Sequence, residues 1–97
     1  MIVYEVTATV DEGLHEEFES YMRGHASEVV ATGAFKSATF ESAGAGRYRM
    51  RYFAETRETL DNYFAEHAPR LRRSFAQRFP QGVELSREEW NVLETFA

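Results

Sequence analysis

Apolar residues occupy every second position in two segments of the chain, which predicts two β-strands. Residues 2–10 alternate apolar with polar or smaller side chains, and residues 47–54 alternate arginine with tyrosine and methionine. Successive side chains of a strand point to opposite faces of a sheet. The second strand should therefore have a charged face and an apolar face, namely Arg47, Arg49 and Arg51 against Tyr48, Met50, Tyr52 and Ala54.

A helical repeat follows the first strand. Its apolar residues recur at steps of three or four, as on one face of a helix. They are Leu14, Phe18, Met22, His25 and Val29. We expect Asp11 to cap this helix and Thr32-Gly33 to end it. Gly24 interrupts the repeat, so a kink or a close packing contact is expected there.

A longer helical repeat extends from a cap at Thr56 to Phe79. Its apolar stripe consists of Leu60, Tyr63, Phe64, His67, Leu71, Phe75 and Phe79. Pro69 lies inside the repeat, and an interior proline removes a hydrogen bond and clashes with the preceding turn. We therefore predict that the helix bends or breaks between His67 and Pro69.

Two weaker patterns complete the chain. Residues 34–41 predict a strand in which Phe35 and Phe40 fall on opposite faces, so one of them should lie outside the core. The small residues 42–46 suit a hairpin turn, which would make this strand the antiparallel neighbour of residues 47–54. A last strand is expected between Val83 and Thr95, and it should include Trp90, Val92 and Phe96.

The order strand, helix, strand, strand, helix, strand predicts an α+β, ferredoxin-like βαββαβ fold. In this fold both helices cover one face of a four-stranded antiparallel sheet. We expect a single domain over residues 1–97. The first and third strands are central, so the uncovered face should bring together Glu5, Thr7, Arg49 and Arg51. This face either meets solvent with weak surface ion pairs, or joins that of a second copy in a homodimeric α/β barrel.

Composition narrows the classes of function. With 43% hydrophobic residues the chain is of the folded, globular type. Its net charge of −5 argues against general nucleic-acid binding, which depends on clustered cations. The absence of cysteine excludes disulfides, thiol catalysis and thiolate metal sites, and fits a cytoplasmic location. No signal peptide or membrane interaction is predicted, since no stretch approaches about 20 continuous apolar residues.

Four segments resemble a known family, and they are Met1–Val6, His25–Phe35, Tyr48–Ala54 and Glu66–Arg72. Their Ala-Thr-Gly-x-Phe and His-Ala-x-x-Leu-Arg motifs are similar to those of small bacterial proteins of unknown function in the dimeric α/β-barrel superfamily. The resemblance implies a homodimer with facing sheets and no settled activity. The chain has Ser27 where the family pattern has proline.

The wider superfamily includes cofactor-independent monooxygenases and haem-degrading enzymes, so the resemblance makes an oxygenase the enzyme hypothesis. The haem-degrading relatives place an asparagine on the first strand. This chain has Thr7 and Thr9 in that region and its only tryptophan in the last predicted strand. The chain therefore departs from the pattern where that chemistry requires it, and no cofactor is predicted.

Two histidines are candidates for proton transfer. His25 and His67 both lie on apolar stripes of their helices and could face a cleft above the sheet. The alternative for each is a partly buried helix residue that is bonded to a backbone carbonyl. His67, beside the expected helix break, is the candidate general acid or base. No metal site is predicted, because the chain has no cysteine and no His-x-x-x-His pair on one helical turn.

Four tyrosines and a methionine are candidates for a ligand pocket. Tyrosine combines apolar area with one polar group, as ligand sites require. These residues, Tyr4, Tyr48, Met50, Tyr52 and Tyr63, are otherwise core residues. No serine lies in a nucleophile elbow, and no glycine-rich loop precedes a helix as a phosphate site requires.

Three hypotheses follow. The first is a homodimer that binds a small anionic or amphipathic molecule near Arg49, Arg51 and the surrounding aromatic residues. The second is an oxygenase or isomerase acting on a small aromatic or carbonyl compound, with His67 in proton transfer. The third is a purely structural or interaction module, in which the arginines serve only the dimer and the space between helices and sheet is filled.

Overall fold

The computed structural model describes residues Met1–Ala97 and contains the predicted order of elements, with the second helical repeat divided in two. Its strands are β1 (Ile2–Val10), β2 (Ser37–Gly44), β3 (Arg47–Ala54) and β4 (Val83–Asn91), and its helices are α1 (His15–Ala31), α2 (Arg57–Glu66) and α3 (Ala68–Arg78). The strands form one antiparallel sheet in the order β2-β3-β1-β4. The predicted α+β, ferredoxin-like fold is confirmed, and β1 and β3 are central.

The core lies between the helices and one face of the sheet. The largest side chains in it that are shielded from solvent are Phe18, Met22, Leu60 and Leu71. Burial of a side chain of this kind stabilises the fold by roughly 1.5–3 kcal/mol, so these contacts fix the helices on the sheet. None of the three helices has the length and apolarity needed to cross a membrane.

Helix α1 starts later than its sequence pattern suggested. Leu14 occupies the N-cap position without a side-chain cap bond, and the backbone carbonyl of Asp11 accepts from the Leu14 amide at 3.1 Å. The prediction of an Asp11 cap was therefore wrong, because Asp11 lies in the turn before the helix. A Cβ atom on Gly24 would meet nothing within 4 Å. The prediction of a close packing contact at Gly24 was therefore also wrong. The end at Gly33, with φ of 85°, is confirmed.

The second helical repeat is divided as predicted. Thr56 caps α2 through a capping box, in which its hydroxyl accepts from the Thr59 amide and the Thr59 hydroxyl accepts from the Thr56 amide. His67 separates α2 from α3 with φ of −120° and ψ of −39°. Pro69 lies in the first turn of α3, where its missing N–H costs no helical hydrogen bond.

Two predictions near the sheet edges were wrong. Strand β2 begins at Ser37, so Phe35 lies before the strand. Strand alternation therefore does not determine which face of the sheet the Phe35 side chain occupies. Phe35 is buried against Tyr52, and Phe40 packs on the same core, so neither phenylalanine is excluded from it. Strand β4 ends at Asn91; of the residues assigned to it, Val92 and Phe96 lie beyond the strand and only Trp90 lies within it.

Candidate functional site

A narrow cavity lies between α1, α3 and the sheet. Five of the residues predicted to bind a ligand line it: Tyr4, His25, Met50, Tyr52 and Tyr63. They come from β1, α1, β3 and α2, so the fold brings together positions that are far apart in the chain. The volume of this inner cavity is about 40 Å³. That volume is enough for one or a few water molecules, since one water needs roughly 10–15 Å³.

A second and larger space adjoins the inner cavity. This outer cleft has a volume of about 520 Å³ and is lined by Tyr4, Phe64, Arg72, Arg87, Glu88 and Glu89. Tyr4, Arg72 and Arg87 line both spaces, so they form the junction between them. Ligand sites in proteins usually measure about 300–1,000 Å³. The outer cleft therefore has the volume of a ligand site, and the inner cavity extends it inward by a small aromatic recess.

Three tyrosine rings form the wall of the inner cavity. The Tyr4 ring centroid lies 5.8 Å from that of Tyr52 and 6.3 Å from that of Tyr63. Burial raises the pKa of Tyr52 and raises the pKa of Tyr63 to about 12, and the neighbouring tyrosines add to both shifts. Both hydroxyls thus stay protonated at neutral pH. They are available as hydrogen-bond donors to a molecule that enters the recess.

The two candidate histidines occupy different environments. His25 lines the inner cavity, and its ring stacks on Tyr21 with centroids 5.5 Å apart. Burial lowers the pKa of His25, although Glu28 opposes this shift. His67 lies at the junction of α2 and α3, does not line the cavity, and has its ring centroid 6.3 Å from that of Tyr63. His25 therefore faces the cavity as a neutral imidazole at pH 7, and the catalytic role of His67, which lies outside the cavity, stays a prediction.

Tyr48 is separated from the other predicted ligand-binding residues. Its ring packs 4.9 Å from Phe18, and its hydroxyl donates to Glu19 Oε2 at 2.7 Å. Desolvation and this hydrogen bond raise the pKa of Tyr48. The fold therefore uses Tyr48 to connect α1 to β3, away from the cavity.

The arginines of β3 are paired within the chain on the outer sheet face. Arg51 lies opposite Glu5 and Arg49 lies opposite Thr7, as predicted for neighbouring central strands. Arg49 Nε is 2.6 Å from Glu41 Oε1, and Arg51 Nε is 3.6 Å from Glu5 Oε1. The hydrogen bonds from Thr39 and Arg49 lower the pKa of Glu41. Glu5 and Glu41 thus offset much of the positive charge on this face.

Sequence reasoning missed the two arginines of the junction. Arg72 projects from α3 and Arg87 from β4, and neither forms a salt bridge. One signal was present in the sequence: Arg87 follows Leu85 by two residues, so the alternation of a strand puts both on the inner face. Arg72 and Arg87 are both exposed, and Arg87 lies on an edge strand, so the sequence pattern alone did not identify them as site residues.

Comparison with solved structures identifies proteins of the same fold. The heme-degrader MhuD from Mycobacterium tuberculosis has a TM-score of 0.74 and 18% identity, with all of both chains covered. SnoaB, a cofactor-independent oxygenase from Streptomyces nogalater, has a TM-score of 0.72 and 18% identity over 97% of this chain and 95% of that one. At3g17210 from Arabidopsis thaliana has a TM-score of 0.75 and 14% identity over both whole chains.

Comparison of the sequence identifies one family. The profile described as Domain of unknown function (DUF4286) matches residues 1–93. No curated protein sequence matches the chain.

Proposed function

Because the chain belongs to the family described as Domain of unknown function (DUF4286), its family supplies no activity, and we propose one from the site. We propose that the protein binds a small, amphipathic, anionic molecule in the outer cleft. One observation carries the proposal: a space of about 520 Å³ opens directly onto a recess walled by Tyr4, Tyr52 and Tyr63. Apolar walls with a few convergent polar groups are the usual composition of a ligand site.

The cleft suits an anion better than the outer sheet face does. Arg49 and Arg51 already have Glu5 and Glu41 as partners, so an anion arriving there would compete with two carboxylates. The junction of the cleft instead holds two arginines without a carboxylate partner, Arg72 and Arg87. The purely structural alternative predicts that the space between helices and sheet is filled, and the inner cavity of about 40 Å³ agrees with it, so the ligand-binding proposal rests on the outer cleft.

A thermal-shift screen tests ligand binding. The panel consists of small aromatic carboxylates, phosphates and flavins together with neutral aromatic compounds. A ligand at about 100 times its Kd stabilises the folded state by about 2.7 kcal/mol, which raises Tm by roughly 10–20 °C for a chain of this size. If no compound at millimolar concentration moves Tm, the proposal is wrong.

A pair of variants locates the binding. Phe64→Ala should weaken any shift, because Phe64 lines the outer cleft and supplies its aromatic wall. Phe40→Ala is the matched control, since Phe40 is also half-buried and does not line the cleft. Circular dichroism should show that both variants are folded. Equal shifts in the two variants would place the ligand elsewhere on the protein.

We also propose that two copies associate through their outer sheet faces. Phe53, Val3 and Trp90 lie side by side in three neighbouring strands, which gives this face an apolar end. Trp90 is 53% exposed, whereas Val3 is only 2% exposed between its neighbours. A large, exposed aromatic side chain beside a group of ion-paired arginines and glutamates is typical of a protein–protein interface. The partner proposed for this face is therefore a second copy of the chain.

An oxygenase is the second candidate function, and His25 is the observation that favours it. Burial keeps this imidazole neutral in a cavity that has room for water beside tyrosine hydroxyls. Such a base could take a proton, through a water molecule or a tyrosine hydroxyl, from a phenol or an enol held in the outer cleft. The description of SnoaB names a cofactor-independent oxygenase, and the two proteins share a fold. MhuD is described with haem, but an inner cavity of about 40 Å³ does not fit a haem, so no haem chemistry is proposed.

Oxygen consumption tests this second candidate. Hydroquinones and 1,3-dicarbonyl compounds are supplied as substrates, and an oxygen electrode follows the reaction. If His25 is the base, His25→Gln should lower kcat by about 10²–10⁴-fold, the usual contribution of general base catalysis. His67→Ala should then leave kcat unchanged, whereas the opposite result would assign the role to His67. The candidate is discarded if no compound of either class is consumed.

A further inference from the structure

The junction between the two cavities holds two guanidinium groups that come from different elements. Arg72 Nη2 donates to the Tyr4 hydroxyl at 3.2 Å, and the Arg72 guanidinium lies 5.7 Å above the Phe64 ring centroid. Arg87 comes from β4, where it pairs with Val6 of β1 on the inner face of the sheet. Neither arginine forms an ion pair within the chain, so both retain donors for a ligand.

The two glutamates near the junction do not neutralise the charges of Arg72 and Arg87. Glu89 lines the outer cleft, but both terminal nitrogens of Arg57 lie 2.6 Å from its Oε1 atom. Glu88 is paired with Glu5, so alternation puts its side chain towards the outer face of the sheet. The positive charge is also felt inside the cavity, because Arg72 and Arg87 act to lower the pKa of Tyr63 against the larger effect of burial.

We propose that Arg72 and Arg87 bind the carboxylate of an aryl or alkyl monocarboxylic acid at this junction. The inference rests on the proposed ligand-binding function and specifies the chemical class of the ligand. Guanidinium groups offer planar, paired donors that match the geometry of a carboxylate. The acid places its apolar body against the Phe64 ring in the outer cleft, where the volume of about 520 Å³ accommodates it.

A monocarboxylate fits this junction better than a phosphate dianion does. A carboxylate presents two oxygen atoms and one negative charge to the two arginines, whereas a phosphate dianion presents three oxygen atoms and two charges. The Tyr4 hydroxyl accepts a hydrogen bond from Arg72, so one of the donors of Arg72 is already in use. The other donors of the two arginines are free to bind a small, planar anion at the edge of the aromatic recess.

Calorimetric and NMR titrations of the full chain with matched probes test the inference. Phenylacetate is the probe, phenylacetamide is its neutral counterpart, and phenyl phosphate is the dianion. Phenylacetate should bind about tenfold more tightly than phenylacetamide, since a charge-assisted hydrogen bond at a partly exposed site contributes about this factor. Arg72→Gln and Arg87→Gln should each weaken phenylacetate binding by about the same factor. Arg73→Gln is the control, because Arg73 is an exposed residue of α3 outside both cavities.

The outcomes separate this inference from the proposed function. Equal affinity for phenylacetate and phenylacetamide, or unchanged affinity in Arg72→Gln and Arg87→Gln, overturns the carboxylate site and leaves ligand binding intact. Tighter binding of phenyl phosphate overturns the monocarboxylate class. Failure of all three probes to bind overturns the carboxylate site, and failure of the wider ligand screen as well overturns both proposals. Selective loss of phenylacetate binding in the two junction variants, with the Arg73→Gln control unchanged, supports the inference.

Discussion

The hydroxyl of Tyr63 lies in a less polar environment than water, so its ionisation lowers the stability of the folded protein. Burial and the nearby Tyr4 raise its pKa from 10.0 to about 12. Between these two values the unfolded chain loses the tyrosine proton while the folded chain keeps it. The favourable contribution of the protonated hydroxyl is complete below pH 10.0 and is lost as pH rises towards 12.

Removal of that hydroxyl should change the response to alkaline pH. In Tyr63→Phe the free energy of unfolding should fall less steeply between about pH 9 and pH 11 than in the unaltered protein. Some decline should remain, because burial also raises the pKa of Tyr52. Urea denaturation at the two pH values measures the slope. Tyr21→Phe is the control, because it removes a tyrosine hydroxyl from the half-buried contact between α1 and α3, outside the inner cavity. A slope in Tyr63→Phe equal to that of the unaltered protein would contradict the prediction.

His25 should make the fold sensitive to acid. Burial lowers its pKa below the ordinary value of 6.5, so the unfolded chain takes up a proton at a higher pH than the folded chain does. Stability is therefore greatest above pH 6.5 and falls as pH drops through the folded pKa. His25→Gln should reduce the loss of stability between about pH 7.5 and pH 5.5. Thermal unfolding at these pH values checks this, with His67→Gln, at a half-buried histidine outside the cavity, as the comparison.

The capping box at Thr56 is the element whose contribution is easiest to isolate. The Thr56 hydroxyl accepts from the Thr59 amide at 3.1 Å, and the Thr59 hydroxyl accepts from the Thr56 amide at 3.3 Å. Thr56→Ala should lower the free energy of unfolding by about 1 kcal/mol, because it leaves an amide of the first turn of α2 without its partner. Thr56→Ser keeps the hydroxyl and should preserve most of the stability. A loss in urea denaturation that is equal for both variants would contradict the role of the cap.

The elements also show what local sequence could and could not specify. Strands β1 and β3 were predicted to the residue, because alternation over eight or nine residues leaves little freedom in register. The start of α1 was misplaced, since the backbone of Asp11, and not its side chain, bonds to Leu14. Phe35 was misassigned because its burial depends on Tyr52 and Tyr63, which lie elsewhere in the chain.

The site depends on the whole molecule and was therefore predicted only in part. Alternation and helical periodicity selected five of the residues that line the inner cavity, because inward-facing residues of strands and helices meet there. Periodicity does not tell which inward-facing residues meet an open space. Whether Arg72 and Arg87 line the same space depends on how α3 lies relative to β4. These are separate elements, and their relative position is set by tertiary packing. That relation is a property of packing and is not encoded in a local pattern.

Association of two copies is the prediction for the molecule as a whole. The proposed interface is centred on β1, where Thr7 lies opposite Arg49 and its hydroxyl is 2.6 Å from the Ser86 hydroxyl. In Thr7→Arg a long cationic side chain stands beside Arg49 and its counterpart in the second copy. Bulk and like charge should then separate the copies. Sedimentation should give twice 11.2 kDa for the unaltered protein and 11.2 kDa for Thr7→Arg.

A matched substitution on the opposite side of the molecule controls for the added charge. Ser20→Arg introduces the same side chain on the exposed surface of α1, away from the sheet, and should leave the dimer intact. The apolar end of the outer face gives an independent check, because Trp90 is 53% exposed in one copy and should become shielded when two copies meet. Its fluorescence should accordingly shift to the red in Thr7→Arg and not in Ser20→Arg. An unaltered protein that sediments as a monomer at micromolar concentration would exclude the interface.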